Sequence, residues 1–230
     1  RIRGRDGKGR LQLRIDLGLL QLEVTGRPDG AQPFGHPSLL DYHRSEAEAH
    51  RRRLGWYEGF ELEAEECAAL RQESLQYYRR RIAFMALQEY PEAVADADHN
   101  LQILDLLKAF AKDRDDWLVS EQYRAFITTH RVQALTLQHL IGEDAHAALV
   151  EVEQGIRSLR NIFLEQDRLD DYADSGELSM LDDLKRKLEA RYGVSHRKRL
   201  QILLDDALRR EDPDTAADLR AQLRQLDADD

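Results

Sequence analysis

A single cysteine, Cys67, is all the chain carries, which excludes an internal disulfide framework and fits a reducing cytosol. A run of about twenty apolar residues is missing too, so the sequence predicts no membrane-spanning helix. Basic residues are outnumbered: 34 Lys and Arg face 44 Asp and Glu, a net charge of -10. That argues against wholesale binding of nucleic acid, because neutralising phosphates takes a basic surface. Catalytic signatures are absent as well. The sequence has no phosphate-cradling glycine loop with a lysine, no GxGxxG after a strand, no HExxH and no GxSxG.

What is present favours helix. Of 230 residues, 42% are hydrophobic and 34% charged, with Ala, Leu, Arg, Glu and Asp dominant, a mixture typical of soluble helical proteins. The length suffices for one good core, or for one domain and a small module. The chain opens at Arg1, so the lack of a signal peptide carries little weight.

Residues 1–10 are basic and glycine-rich without an apolar period, and read as a mobile arm. Alternation at Leu11, Leu13, Ile15 and Leu17, continued out of phase by Leu20, Leu22 and Val24, predicts a short β element. Gly18 marks a bulge, a bend or a tight reversal within it. So small a sheet must pack on the helices or pair through an open edge, which makes 11–25 a candidate homodimer contact. Gly26–Pro37 reads as a loop, with Arg27-Pro28-Asp29-Gly30 a β-turn. His36 and Asp29 in this loop lack a second ligand at metal spacing.

From Ser38 onward the periodicity is helical. One helix starts at Ser38 and closes at Gly55, and the next runs from about Leu62 to Gln88. A third begins at Pro91, a fourth spans Trp117–Ile141, a fifth Ala147–Leu164 and a sixth Glu177–Tyr192, with Gly193 as its C-terminal cap. The string ALQEYPEAVADADHNLQIL weakly resembles the turn and second helix of a tetratricopeptide repeat, through Tyr90, Ala93 and Ala97. The similar layout around Ala148 comes 55 residues after Ala93, far from the 34-residue period of true repeats.

Ser195–Leu226 reads as a closed helical hairpin. Leu200, Leu203 or Leu204, Ala207 and Leu208 recur on one face of its first helix. Glu211-Asp212-Pro213 breaks the pattern, with Asp212 placed to cap a new helix and Pro213 at its first position. Ala216, Ala217, Leu219 or Arg220, Leu223 and Leu226 then form the facing side, the alanines allowing close approach.

The pattern Leu200, Leu204, Ala207-Leu208, Glu211-Asp212, Ala216-Ala217, Leu219-Arg220, Leu223 and Leu226 resembles the UVR motif. This is the helical hairpin shared by the excision-repair subunits UvrB and UvrC, the adaptor McsA and ClpC-type chaperones. Pro213 stands where members carry an aromatic residue. The resemblance implies a protein–protein contact, with Arg209, Arg210, Glu211, Asp212, Pro213 and Arg220 as the partner-binding residues near the hairpin tip. The helicase and nuclease domains that give the repair subunits their activities have no counterpart here.

Other chemistry-bearing residues do not converge. The acidic run Glu58, Glu61, Glu63, Glu65 and Glu66 suits the positive end of a helix better than a cation. Cys67 sits mid-helix and reads as a core thiol. The histidine pairs His43/His50 and His139/His146 lack the close spacing of a helical metal site, and Asp96 faces a different side of its helix from Asp98.

The expected fold is therefore mainly α: a short β element and loop (1–37), a bundle of antiparallel helical hairpins (38–193) and a UVR-like hairpin (194–230). The expected function is that of a non-enzymatic interaction or adaptor protein in the bacterial cytosol, with the UVR-like hairpin and the helical array each offering an apolar groove to a protein partner, and with no cofactor, no metal and no membrane. The alternative is a DNA-repair accessory touching nucleic acid through the basic arm and Arg51–Arg53.

Overall fold

The structure is a computed structural model; it describes residues 1–16, 18–192, 196–210 and 212–229, with side chains for all of these except 196–199 and 225–229. Leu17, Gly193, Ser195 and Glu211, each given a role by the sequence, lie outside the described residues, as does the Leu226 side chain. The fold is mainly α with a small N-terminal antiparallel sheet. By its internal contacts the chain divides into two compact units, Arg1–Ala134 and Leu135–Asp230. The division falls inside the stretch read from the sequence as one helical bundle.

In the first unit, strands β1 (Ile2–Arg3), β2 (Gly9–Ile15) and β3 (Gly18–Glu23) form a meander with β2 in the middle. The register pairs Leu11 with Leu22 and Ile15 with Gly18, so Gly18 belongs to a tight reversal. Leu11 and Leu22 share the buried face, whereas Ile15 and Leu19, at the hairpin tip, are exposed. The expectation of a mobile arm is corrected here. Ile2 and Arg3 pair with Arg10 and Gly9, and the Arg10 guanidinium ties Asp6 to Glu23. Strand pairing uses backbone groups, so a stretch with no apolar period can still be ordered by it.

Helix α1 (Leu39–Leu54) starts where the Ser38 hydroxyl accepts the Asp41 amide at 3.0 Å. It ends at Gly55, whose φ of 90° only glycine adopts freely. The backbone amide of Glu63 donates to the Glu66 carboxylate at 2.8 Å, opening α2 (Ala64–Ala86). Leu87–Glu89 turns the chain into α3 (Tyr90–Phe110), with Pro91 in its first turn. Leu39, Leu40, Leu62, Cys67, Leu70, Ile103 and Leu107 form a core cluster between α1, α2 and α3. The predicted helix Trp117–Ile141 is instead two, α4 (Arg114–Glu121) and α5 (Arg124–Ile141). Asp113 caps the first of them, and at the junction Arg124 clamps Glu121 and Asp105, which fixes the break.

In the second unit, α6 (Ala145–Glu165) begins at Asp144, whose carboxylate accepts the Ala147 amide at 2.8 Å. It packs along α7 (Gly176–Tyr192), burying Leu149, Val152, Leu159 and Phe163 with Leu181 and Leu188. Helices α8 (His196–Arg209) and α9 (Pro213–Asp229) pair with each other, and α8 also meets α6.

Candidate functional site

The α8–α9 hairpin is where the sequence places function. Leu200, Leu203, Leu204, Ala207, Ala216 and Leu219 are buried together, with Val150 of α6 and Leu223 against them. Two assignments need correction. Leu208, read as core, is 48% exposed, and Ala217 is exposed as well. The buried stripe of α8 runs through 200, 203, 204 and 207, and one further step along the helix turns Leu208 outward. Ala217 follows the buried Ala216 by one position and turns away by the same 100° step.

The tip residues divide by what holds them. The Asp212 carboxylate caps α9, accepting from the Thr215 amide and hydroxyl at 3.1 and 2.6 Å; these bonds hold its carboxyl below the usual carboxylate range. Arg210 pairs with Asp206 at 2.9 Å and reaches Gln154 at 3.3 Å. Arg209 and Arg220 are exposed, and Pro213 opens α9. Leu208, Arg209 and Arg220 are thus exposed, as are Arg210, Arg224 and the acidic Asp205, Asp212, Asp214 and Asp218 of the same hairpin.

The first unit contains a buried polar network that the sequence reading did not single out. Glu73, wholly buried, accepts the Leu39 and Leu40 amides at 2.8 and 3.2 Å, so it stabilises the start of α1 from α2. Arg27 lies 3.0 Å from the same carboxylate and the His99 Nε2 3.1 Å from it. Burial pushes this carboxyl upward, but His99 and the two amides outweigh it and leave it below its ordinary value. The His99 ring lies parallel to Tyr77, with centroids 3.6 Å apart. Next along α2, Arg80 grips Asp96 at 2.7 and 2.9 Å and donates to the Glu23 and Gly26 carbonyls. Every oxygen of Glu73 and Asp96 is occupied by a neighbouring group, so the network joins β3, the loop, α1, α2 and α3 rather than presenting a free acid or base.

A signal for this network was available. Leu70, Glu73, Tyr77, Arg80, Arg81 and Phe84 occupy one buried face of α2. Charged residues recurring inside an apolar period are costly to bury unless they find partners, as Glu73 and Arg80 do. Arg81, 1% exposed, stacks over Tyr78, and burial lowers its pKa to about 10. His130 is lowered to about 4 by burial and the neighbouring Arg81 charge.

The remaining candidates stay apart. Asp98 pairs with Arg131 and Asp105 with Arg124, each away from Asp96. The Cys67 thiol is buried and pushed up to about 11, so it is not a thiolate nucleophile at neutral pH. Among the described residues, no three His, Cys, Asp or Glu side chains converge as a metal would require, and no helix is long and apolar enough to cross a membrane. Comparison of the chain with protein-family models, with curated proteins and with solved structures finds no match.

Proposed function

We propose that this protein is a non-enzymatic interaction or adaptor protein of the bacterial cytosol, and that the α8–α9 hairpin is its partner-binding element. The observation carrying this reading is the division of the hairpin into two faces. One is buried against α6, and the other leaves Leu208 exposed together with Arg209 and Arg220. An exposed leucine beside charged side chains suits a partly apolar partner surface with a polar rim. The resemblance of the hairpin to the UVR motif points the same way. Asp212 serves this surface by capping α9 and Arg210 by reaching Gln154 of α6, while Arg209, Arg220 and Leu208 make the contact.

The test is capture from a bacterial lysate on the immobilised chain, comparing the parent with L208D and with R209E/R220E, followed by titration of the purified partner. The reading expects a protein bound by the parent and lost from both variants, with unchanged circular dichroism. Equal capture by all three overturns it. The alternative contact with nucleic acid has less behind it. Arg1 is paired with Glu89, Arg10 with Asp6 and Glu23, and Arg51 with Glu48, so three of the eight cations proposed for that surface are already neutralised.

A further inference from the structure

The hairpin does not fill all the space beside α6 and α7. A cleft of about 310 Å³ remains in the second unit, at the small end of the range for ligand pockets. Buried Leu200, Leu203 and Leu219 line it together with Ile156, while exposed Asp218 and Gln222 mark its mouth. Two cations, Arg157 and Lys185, complete the wall. Their situations differ. Lys185 reaches Glu153 at 3.1 Å, so each offsets the other's charge. Arg157 is exposed to solvent at the rim and makes no hydrogen bond or ion pair with any described residue. Its surroundings lower its pKa chiefly by desolvation, with Arg210 acting in the same direction and Glu153, Asp206 and Asp212 opposing.

A planar guanidinium without a partner, at the edge of an apolar cleft, has the chemistry of a carboxylate receptor. The charge of the ligand follows from its neighbours. Glu153 and Asp218 on the same wall disfavour a dianion such as a phosphate monoester, and a cation would meet Arg157 itself. A neutral apolar molecule would leave the guanidinium to water and gain nothing from it. We propose that this cleft binds a small amphipathic monocarboxylate, its apolar body against Leu203, Leu219 and Ile156 and its carboxylate on Arg157. Because Leu200, Leu203 and Leu219 also belong to the buried side of the α8–α9 hairpin, the bound ligand stabilises the seating of that hairpin against α6 by mass action.

Hexanoate and its neutral counterpart hexan-1-ol are the probes, titrated calorimetrically into the full chain. Hexanoate is expected to bind saturably at one site, with hexan-1-ol weaker by about ten- to a hundredfold, the scale of a charge-assisted hydrogen bond. R157Q should reduce hexanoate binding to the level of hexan-1-ol. R157K, which keeps the charge and loses the fork, should fall between. Hydrogen exchange at the Leu203 and Leu219 amides should slow when hexanoate is present. Equal affinity for acid and alcohol, undiminished binding by R157Q, or no hexanoate binding at millimolar concentration would each overturn the proposal.

Discussion

The Arg80 guanidinium and the Asp96 carboxylate are joined by two hydrogen bonds in the interior between α2 and α3, each side chain only 4% exposed. Removing one partner of such a pair strands a buried charge. Asp96→Ala is expected to cost about 3–5 kcal/mol. Arg80→Met should cost at least as much, because it also strips donors from the Glu23 and Gly26 carbonyls. Urea unfolding of the two single variants and the double one checks this. The double variant should fall short of the sum by about 1–3 kcal/mol, and strict additivity would show that the two groups do not act as a pair.

Glu73→Gln keeps the shape and removes the charge on which the α1 amides, Arg27 and His99 converge. A loss of about 2–3 kcal/mol is expected, the scale of hydrogen bonds to a charged group. Amide exchange at Leu39 and Leu40 should accelerate before exchange in α3 does. The pH dependence has a definite sign. The folded pKa lies below the ordinary 4.5, so the stabilisation is full above that value and is lost as pH falls through the folded value. The glutamine variant should lack this acid-side loss.

His130 gives a second pH window of the same sign by a different route. Its folded pKa of about 4 lies below the ordinary 6.5, so the unfolded chain binds the extra proton first. Stability is full above about 6.5 and declines as pH falls toward 4. His130→Phe should flatten that part of a melting-temperature profile, and an unchanged slope would count against burial of the neutral ring.

Leucines of the hairpin should separate by face. Leu203→Ala and Leu219→Ala are expected to cost about 2–5 kcal/mol as buried truncations. Leu208→Ala, at 48% exposure, should cost about 0.5 kcal/mol or less while weakening partner capture. Chemical denaturation followed at the hairpin distinguishes the two classes.

Much of this fold was legible because helices announce themselves locally. Ser38, Gly55, Pro91 and Asp144 each act within a turn of their own position, and each does in the structure what its type favours. The hairpin at 196–229 was readable for the same reason, down to its Asp212 cap. Its outer face was not. Leu208 is apolar and near the period, and only the packing of α8 on α9 and α6 leaves Leu204 buried and Leu208 exposed.

Local chemistry along the sequence determined the helices, their caps, the turns and the alternating strands, because those depend on neighbours a few residues apart. The tertiary structure alone decided the rest. It recruited Ile2–Arg3 into the sheet, set Glu73 beneath the first turn of α1 and joined Arg80 to Asp96. It also left Arg157 at the edge of an apolar cleft. A charged side chain carries no mark in its own sequence of which distant group it will meet. Burial made those meetings obligatory, since an unpaired charge in the interior costs more than the fold can spare.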